Sequence, residues 1–551
     1  MPGDTTNTTD GHRSGVRWQF VARPLPPLEE ITVSTLTAGR DAQALRRAAA
    51  PDYFGWLEYT RAAGGCTRPI RLTGTLTALE PGTGRVLAEQ HTDELPDRTL
   101  YKACGNRRAA QCPDCAWVYT GDAFQVVRCG LTGGKTVPAT VRAHPVVFAT
   151  FTAPSFGPVH HRHIPRHTCA HRRRCDCRPA PCRARSTAGT CPHGRPAACF
   201  ARHDANDPQL GRPLCLDCYD HDHQVVWNHF SGELWRRTKQ AIERHLTAVC
   251  RRRGIPHVQV VTDSGRIRRV PPVRASHGKV AEMQRRGAVH FHVLLRLDGV
   301  DPDDRHALAP PPAGITVDDL DAAVHAATRQ ITVTTPPHPD RPQGWPIAWR
   351  EQIDVRRIGT SDGDVTDAKV AAYLAKYATK STEVTGHCST RLTPDTVDAY
   401  ADPEGDHLAR LIDACWRLGR PTRHHVTRTA RKTEGRQGDL DPTLNEYAGL
   451  RRWAHMLGYG GHFLTKARRY SVTFGLLRDT RAAYRRTEHT DTADSDDTAG
   501  TVTVGTLAFV GSGWLTDGDA LLANTAAAQR RERQRVGREE LAHEVWSGVA
   551  A

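Results

Sequence analysis

The sequence lacks any apolar run long enough to cross a membrane. Its 551 residues are 38% hydrophobic and 25% charged. No run of the 18 or so apolar residues that indicate a membrane-spanning helix occurs. The chain opens on the polar segment MPGDTTNTTD, which has none of the apolar core of a secretory signal. We therefore expect a cytoplasmic protein that is neither secreted nor membrane-spanning.

A nucleotide-binding phosphate loop is also missing. The segment GLTGGKT at 130–136 resembles one, but that motif needs a glycine five residues before its final Gly-Lys pair. Cys129 occupies that place. ATP binding is therefore not expected here, and no helicase module is visible in the sequence.

What the chain has in excess is positive charge. Lys and Arg total 75 against 60 Asp and Glu, which gives a formal net charge of +15. A phosphate-rich partner is the natural interpretation, although any basic soluble protein shares this excess. The length also indicates more than one domain, since single cores stop growing near roughly 250–300 residues.

Sixteen cysteines in a chain without a secretory signal favour metal sites over disulfides. The first group is Cys112-Pro-Asp-Cys115 with Cys104, and with Cys66 ahead of a predicted hairpin at 69–86. Two sulfurs at Cys-x-x-Cys spacing chelate one ion through a tight turn. We expect four thiolates in a closed zinc site of ribbon type, with Cys129 as a substitute ligand.

A second cysteine group lies in a Pro- and Arg-rich stretch that has little to bury, so that a metal would supply the missing folding energy. Cys215 and Cys218, at Cys-x-x-Cys spacing, are its first two predicted ligands. We choose Cys191 and Cys199 as the other ligands, with His203 next. The cysteines at 169, 175, 177 and 182 stand among arginines at spacings that fit no template. We interpret them as loop cysteines of a phosphate-contacting arm rather than ligands of another ion.

Two short segments carry chemistry. In Ala288-Val-His-Phe-His-Val-Leu-Leu295, a strand would point His290 and His292 to one face, which is half of a metal site. In Tyr373-Leu-Ala-Lys-Tyr-Ala-Thr-Lys380, a helix would place Tyr373 and Tyr377 on one face, beside Lys376 and Lys380. Taken singly, each pattern is more often a pair of surface histidines or of packing tyrosines.

Together these segments resemble a known family. His290-Phe291-His292 resembles the signature of HUH endonucleases, and Tyr-x-x-Lys-Tyr-x-x-Lys resembles the two-tyrosine motif of rolling-circle initiators, notably the gene A proteins of isometric phages. FATFTAPSF at 148–156 resembles the family's first motif, in the family's order. The segments 104–108, 286–292 and 296–299 are similar to the initiators of actinobacterial plasmids and integrative elements. The likeness covers roughly residues 55 to 480.

The resemblance implies a metal-dependent, site-specific DNA nickase. Glu282 would be the third ligand beside His290 and His292, with Gln284 as runner-up, and such mixed ligation suits Mn²⁺ or Mg²⁺. Attack by a tyrosine would leave a 5′-phosphotyrosine and a 3′-hydroxyl primer. We choose Tyr377 as the first nucleophile and Tyr373 as the second nucleophile or a packing residue, because some relatives carry glutamate at the latter position. Lys376 and Lys380 would steady phosphate charge.

The implied partners are double-stranded origin DNA and single-stranded DNA, together with a host helicase and polymerase. Arg-rich loops at about 172–185 are the candidates for duplex contacts. Two other functions stay open: a relaxase or transposase with the same chemistry, and a zinc-dependent DNA-binding regulator without catalysis.

The expected fold class is α+β, with a central antiparallel sheet and flanking helices taken from the resemblance, although strands separated by helices also fit a parallel sheet. We predict a leader (1–54), a zinc-ribbon-like module (55–140), an HUH domain (141–390) with a Cys- and Arg-rich insertion (about 156–224), a mainly helical region (391–486), and an acidic linker with a charged helical tail (487–551). Predicted helices include 230–252, 316–329 and 366–380, and the segments 443–467 and 470–486 are expected to be helical around a turn at 458–461.

Overall fold

The computed structural model describes residues 39–165, 177–184, 189–262, 264–304, 306–351, 353–358, 370–371, 373–375, 390–420, 446–487 and 502–549. The chain divides into two compact units, Met1–Thr120 with Gly475–Ala551, and Gly121–Phe474. Helices and sheets are mixed, and every strand pair within the described ranges is antiparallel. The expected antiparallel pairing is therefore confirmed over the parallel alternative.

The elements run as follows in chain order. The helices are α1 (Arg40–Ala48), α2 (Tyr53–Thr60), α3 (Pro113–Thr132), α4 (His221–Arg252), α5 (Val317–Gln330), α6 (His407–Leu418), α7 (Ala448–Arg452), α8 (Phe474–Thr487) and α9 (Asp517–Val549). The strands are β1 (Ile70–Leu79), β2 (Val86–His91), β3 (Leu100–Lys102), β4 (Val146–Phe151), β5 (Val258–Val261), β6 (Ile267–Val270), β7 (Val273–Met283), β8 (Val289–Gly299), β9 (Thr332–Thr334), β10 (Pro346–Ala348), β11 (Asp354–Ile358), β12 (Leu464–Lys466) and β13 (Val502–Ser512).

The first unit is built from both ends of the chain. Its sheet has β1 in the middle, paired along its whole length with β13 and on its other edge with β2 and β3. A core of buried aromatic residues, led by Trp56, Tyr59 and Tyr101, lies in this unit together with Ala523 of α9. Burial of such large aromatic side chains contributes strongly to the stability of a small unit.

The predicted charged helical tail lies within α9, whereas strand β13 is an element that the predicted linker and tail (487–551) did not include. Strand β13 pairs with β1 from Leu79↔Val502 to Ile70↔Ser512, and Trp514 Nε1 donates to the Cys66 carbonyl at 3.0 Å. The sequence signal was weak because the strand's partner lies more than 400 residues earlier, and no local pattern specifies such a pairing. The C-terminal segment therefore supplies a strand to the sheet of the first unit.

The second unit is organised around a five-stranded sheet in the order β11-β4-β8-β7-β12. Odd-numbered residues of the central strand β8, among them Phe291, Val293 and Leu295, belong to the large core that includes Trp227 and Leu234 of α4. Because side chains alternate along a strand, the even-numbered positions of β8 face the other side of the sheet. That side carries the two histidines of interest.

Two of the predicted helical segments differ from the observed helices in where they begin or end. Helix α4 begins at His221, earlier than expected, because Asp220 caps it by accepting from the His223 backbone N–H at 2.8 Å. In the segment 443–467, the helical residues end before Leu457 at φ 51° and Gly458 at φ 86°, where the predicted turn at 458–461 begins, and β12 takes the place of the helix predicted up to 467. These left-handed residues end the helical path, and β12 follows at the sheet edge. None of the helices in the described residues is long and apolar enough to span a membrane.

Candidate functional site

The candidate site lies on the β7–β8 hairpin. Its register pairs Glu282 with His290 and Val280 with His292. A tight turn joins the strands, in which the Gln284 backbone N–H donates to the Ala288 carbonyl at 2.9 Å and Gly287 takes φ 78°. The turn thereby brings a carboxylate from one strand directly opposite an imidazole of the next.

The three side chains converge on one point. The Nε2 atoms of His290 and His292 lie 2.8 and 3.1 Å from the same carboxylate oxygen of Glu282. Their candidate ligand atoms all lie within 4.8 Å of one another, and the three side chains are at most 14% exposed. Two imidazoles and one carboxylate, partly open to solvent, are a donor set that divalent ions bind.

Neighbouring side chains orient the two imidazoles. Thr150 of β4, which pairs with His292 in the sheet, has its hydroxyl 3.2 Å from His292 Nδ1. The Gln284 amide nitrogen lies 3.4 Å from His290 Nδ1. Contacts at Nδ1 leave Nε2 of each ring directed toward Glu282, which is the arrangement a metal-binding histidine needs. Thr150 is not among the predicted site residues, although it lies in the Thr-bearing first motif.

Tyr373 lies beside this group of three. Its ring is perpendicular to the His292 ring, with centroids 5.4 Å apart, and to the Phe148 ring, at 5.9 Å. Phe148 also stacks on His292, with centroids 5.8 Å apart. Tyr373 is 40% exposed. The structure therefore brings one of the two predicted tyrosines to the predicted metal ligands, within an open aromatic corner.

The remaining predicted residues of the tyrosine segment are not described. Residues 370–371 and 373–375 are helical, as the spacing predicts, whereas Tyr377, Lys376 and Lys380 lie outside the described residues.

A buried lysine lies under the histidine strand. Lys279 of β7 points to the opposite face of the sheet, with its ammonium nitrogen 3.7 Å from the Phe291 ring centroid. Burial lowers the pKa of Lys279 to about 7. The cation–π contact compensates only part of the cost of burying this charge.

Comparison with known proteins places the chain in a family. The family described as replication initiator protein of pSAM2 (RepSA) matches residues 52–528. This chain belongs to that family. A curated replication initiator protein of Streptomyces ambofaciens is 38% identical over 519 residues, which span 92% of this chain and 97% of that protein. The resemblance to replication initiators is thereby confirmed, and no solved structure matches the chain.

The four cysteines of the first predicted group lie together in the structure. Cys66, Cys104, Cys112 and Cys115 have their sulfur atoms within 4.8 Å of one another, and each of the four except Cys104 is buried. Hydrogen bonding from Cys66 is the main cause that lowers the pKa of Cys115 to about 5. Four converging sulfurs with one favoured as thiolate suit a tetrahedral ion.

The second cysteine group differs from the prediction in one ligand. Cys191, Cys215 and Cys218 lie together, and their fourth member is His193, whose Nδ1 is 3.2 Å from Cys218 Sγ. Cys199 is not part of this group and lies with His160, Cys182 and His203 instead. The prediction for Cys199 is therefore corrected. Local spacing does not reveal this grouping, because an isolated backbone bridge pairs Cys199 with Arg183, the neighbour of Cys182.

Proposed function

We propose that this replication initiator is a metal-dependent nickase that cuts one strand at a double-strand origin and starts rolling-circle replication. The observation that carries the proposal is the convergence of His290 and His292 on one oxygen of Glu282, with Tyr373 packed against His292. A metal-ligand group beside an exposed phenol suits metal-assisted phosphodiester transfer to tyrosine.

Glu282, His290 and His292 would hold Mn²⁺ or Mg²⁺. The fit rests on the donor set and on the two Nε2 atoms directed at one carboxylate oxygen. When bound, such an ion polarises the scissile phosphate and offsets its negative charge. Thr150 and Gln284 would keep both imidazoles oriented, at Nδ1, so that neither ring must reorganise when DNA enters.

The chemistry is a transesterification at phosphorus. The phenol oxygen of Tyr377, the predicted first nucleophile, forms a bond to phosphorus while the bond to the 3′ oxygen breaks. The phenol loses its proton and the departing 3′ oxygen gains one, so the products are a 5′-phosphotyrosine and a 3′-hydroxyl primer. The covalent link would retain the phosphodiester energy, and Tyr373 would take part in a second transfer that reseals the circle without ATP.

Two lysines would offset the negative charge of the scissile phosphate. We assign this role to Lys376 and Lys380, which are four residues apart in the tyrosine segment. Their ammonium groups would act as point charges beside the phosphate.

A basic cavity of about 530 Å³ supports contact with duplex DNA. It lies on the α4 side of the sheet, where Trp235 packs against His277, and five cationic side chains line it. These are Arg236, Lys239, Arg274, Arg468 and Arg469. We assign this cavity to backbone phosphates of the origin, in addition to the Arg-rich loops of the insertion.

Two structural zinc ions are part of the proposal. Cys66, Cys104, Cys112 and Cys115 would hold one, and Cys191, Cys215 and Cys218 with His193 the other. A host helicase and polymerase would open and extend the nicked strand, because the chain has no phosphate loop of its own.

The proposal is tested with a supercoiled plasmid that carries the origin. With Mn²⁺, the protein should produce nicked circles bearing covalent protein, and addition of EDTA before the protein should prevent nicking. Specific duplex binding without nicking in any divalent metal would instead favour a zinc-dependent regulator. A relaxase or transposase would give the same adduct, but would not support synthesis from the 3′-hydroxyl in a replication extract.

A further inference from the structure

The insertion carries a second group of ligand side chains, which combines residues that the sequence did not predict to share an ion. His160, Cys182, Cys199 and His203 have candidate ligand atoms within 4.8 Å of one another. His203 Nε2 lies 3.2 Å from His160 Nδ1 and 3.6 Å from Cys199 Sγ. Ligands of a tetrahedral zinc ion stand roughly 3.3–3.8 Å apart, given Zn–N near 2.0 Å and Zn–S near 2.3 Å.

His203 is oriented as a metal ligand. Its Nδ1 lies 2.6 Å from the carboxylate of Asp207, which accepts the ring N–H, and the His203 side chain is 1% exposed. The lone pair is then on Nε2, the atom that faces His160 and Cys199. A carboxylate behind the imidazole is the usual partner of a metal-bound histidine.

This part of the chain has almost no apolar core. Among the described residues from 157 to 218, the buried hydrophobic side chains are those of Cys182 and Cys215. The same residues form turns and isolated bridges but no helix or strand. A segment that buries so little needs cross-links to fold, and metal ligation supplies them.

The two ligand groups of the insertion alternate along the chain. They occur as four successive pairs: His160 with Cys182, Cys191 with His193, Cys199 with His203, and Cys215 with Cys218. The first and third pairs converge, and so do the second and fourth. Each ion would therefore close a loop that contains half of the other ion's ligands.

We propose that the insertion holds two zinc ions in a cross-braced arrangement, with His160, Cys182, Cys199 and His203 as a second site. Thiolate and imidazole ligands without an open position favour structural zinc over magnesium or manganese. Because the loops interlock, loss of either ion removes the closure that positions the other pair, so the two ions bind interdependently.

Zinc content of the full chain tests the site. Native mass spectrometry should show Cys182→Ser holding at least one zinc fewer than the wild type. Cys177→Ser is the matched control, since Cys177 lies in the same insertion but in neither group, and it should keep the wild-type count. His160→Cys exchanges one zinc ligand for another and should also keep that count.

Alkylation of individual cysteines tests the cross-bracing and does not need a stable variant. In the wild type, Cys182, Cys199, Cys191 and Cys215 should resist alkylation until a chelator is added and then become reactive together. Cys215→Ser should expose Cys182 and Cys199 as well. The second site is refuted if Cys182 reacts equally fast with and without chelator, or if Cys177→Ser loses zinc as Cys182→Ser does. Full protection of Cys182 and Cys199 in Cys215→Ser would refute the interdependence.

Discussion

Glu282 faces His290 because both residues are four positions from Arg286, at the turn of the β7–β8 hairpin. In an antiparallel hairpin, residues equally distant from the turn lie opposite each other, and the observed register follows this rule. The strand alternation that predicts His290 and His292 on one face therefore also brings in the carboxylate, once the turn is located. The family resemblance independently implies Glu282 as the third ligand. In the structure, one carboxylate oxygen of Glu282 lies within 3.1 Å of both imidazoles.

Glu282→Gln should strongly reduce metal-supported nicking while leaving the fold intact. The amide keeps the shape of the side chain but removes its charge, so we expect nicking to fall on the order of 100-fold. Calorimetric titration with Mn²⁺ should show weaker binding, and the melting temperature should change little. Gln284→Ala is the comparison, because Gln284 contacts His290 at Nδ1 and should have the smaller effect. A larger loss in Gln284→Ala would reassign the third ligand.

Lys279→Met should stabilise the second unit in a pH-dependent manner. The unfolded lysine has a pKa near 10.5, whereas burial lowers the native value to about 7. Between these values the unfolded chain holds a proton that the native chain lacks, so the wild type loses stability as pH falls from about 10 to 7. The variant should gain on the order of a few kcal/mol at pH 7 and below, and its advantage should vanish near pH 10.

Thermal unfolding of Lys279→Met at pH 6.5 and at pH 9.5 measures this difference. Lys239→Met serves as the control, since Lys239 is partly exposed and paired with Glu243 at 2.6 Å. An equal gain at both pH values would contradict a lowered native pKa for Lys279.

Strand β13 makes the C-terminal segment part of the first unit's sheet, and one glycine reports on that pairing. Gly74 of β1 has φ 139°, and a Cβ built there would lie 1.9 Å from the Thr506 carbonyl oxygen of β13. Gly74→Ala should therefore separate the two strands and lower the free energy of unfolding of this unit by about 1–3 kcal/mol.

Limited proteolysis of Gly74→Ala should cleave the β13 region faster than in the wild type. Gly55→Ala, at a helical position with open space around its Cβ, should cause no such increase. If both variants resist protease as the wild type does, the β1–β13 pairing does not stabilise the first unit.

The basic cavity beside α4 should make a measurable contribution to DNA binding. Arg468→Ala removes an exposed cation from its lining, so duplex affinity should fall and the slope of log affinity against log salt should become shallower by about 1. Arg329→Ala, an exposed arginine of α5 outside the cavity, should leave the slope unchanged. Equal slopes for Arg468→Ala and the wild type would remove the cavity from the DNA interface.

Local sequence patterns predicted many elements of the second unit. Features that depend on pairing between distant segments could not be predicted from the sequence. The period-2 alternation of β8 and the capped helix α5 follow from residues close in sequence. The partner of β13 and the grouping of Cys199 depend on contacts between distant segments. With sixteen cysteines, spacing alone could not decide which four share an ion.

At the scale of the whole molecule, the chain forms two units. One combines an N-terminal with a C-terminal segment, and the other carries the candidate metal site. The three Cys and Cys/His groups are outside that site and differ from it in their ligands. Thiolate-rich groups favour structural zinc, whereas the imidazole–carboxylate group favours an exchangeable catalytic ion. Removal of Mn²⁺ or Mg²⁺ should therefore stop nicking without unfolding the chain, as circular dichroism before and after dialysis would show.

The most direct measurement maps the covalent bond between protein and DNA. After reaction with origin DNA and Mn²⁺, the complex is digested with nuclease and trypsin, and the peptides are analysed by mass spectrometry. Trypsin cuts after Lys369, Lys376 and Lys380, so Tyr373 and Tyr377 lie on separate peptides. We predict a 5′-linked nucleotide on the Tyr377 peptide, or on the Tyr373 peptide in Tyr377→Phe. Nicking that persists in the double variant Tyr373→Phe/Tyr377→Phe, or an adduct on neither peptide, would contradict it.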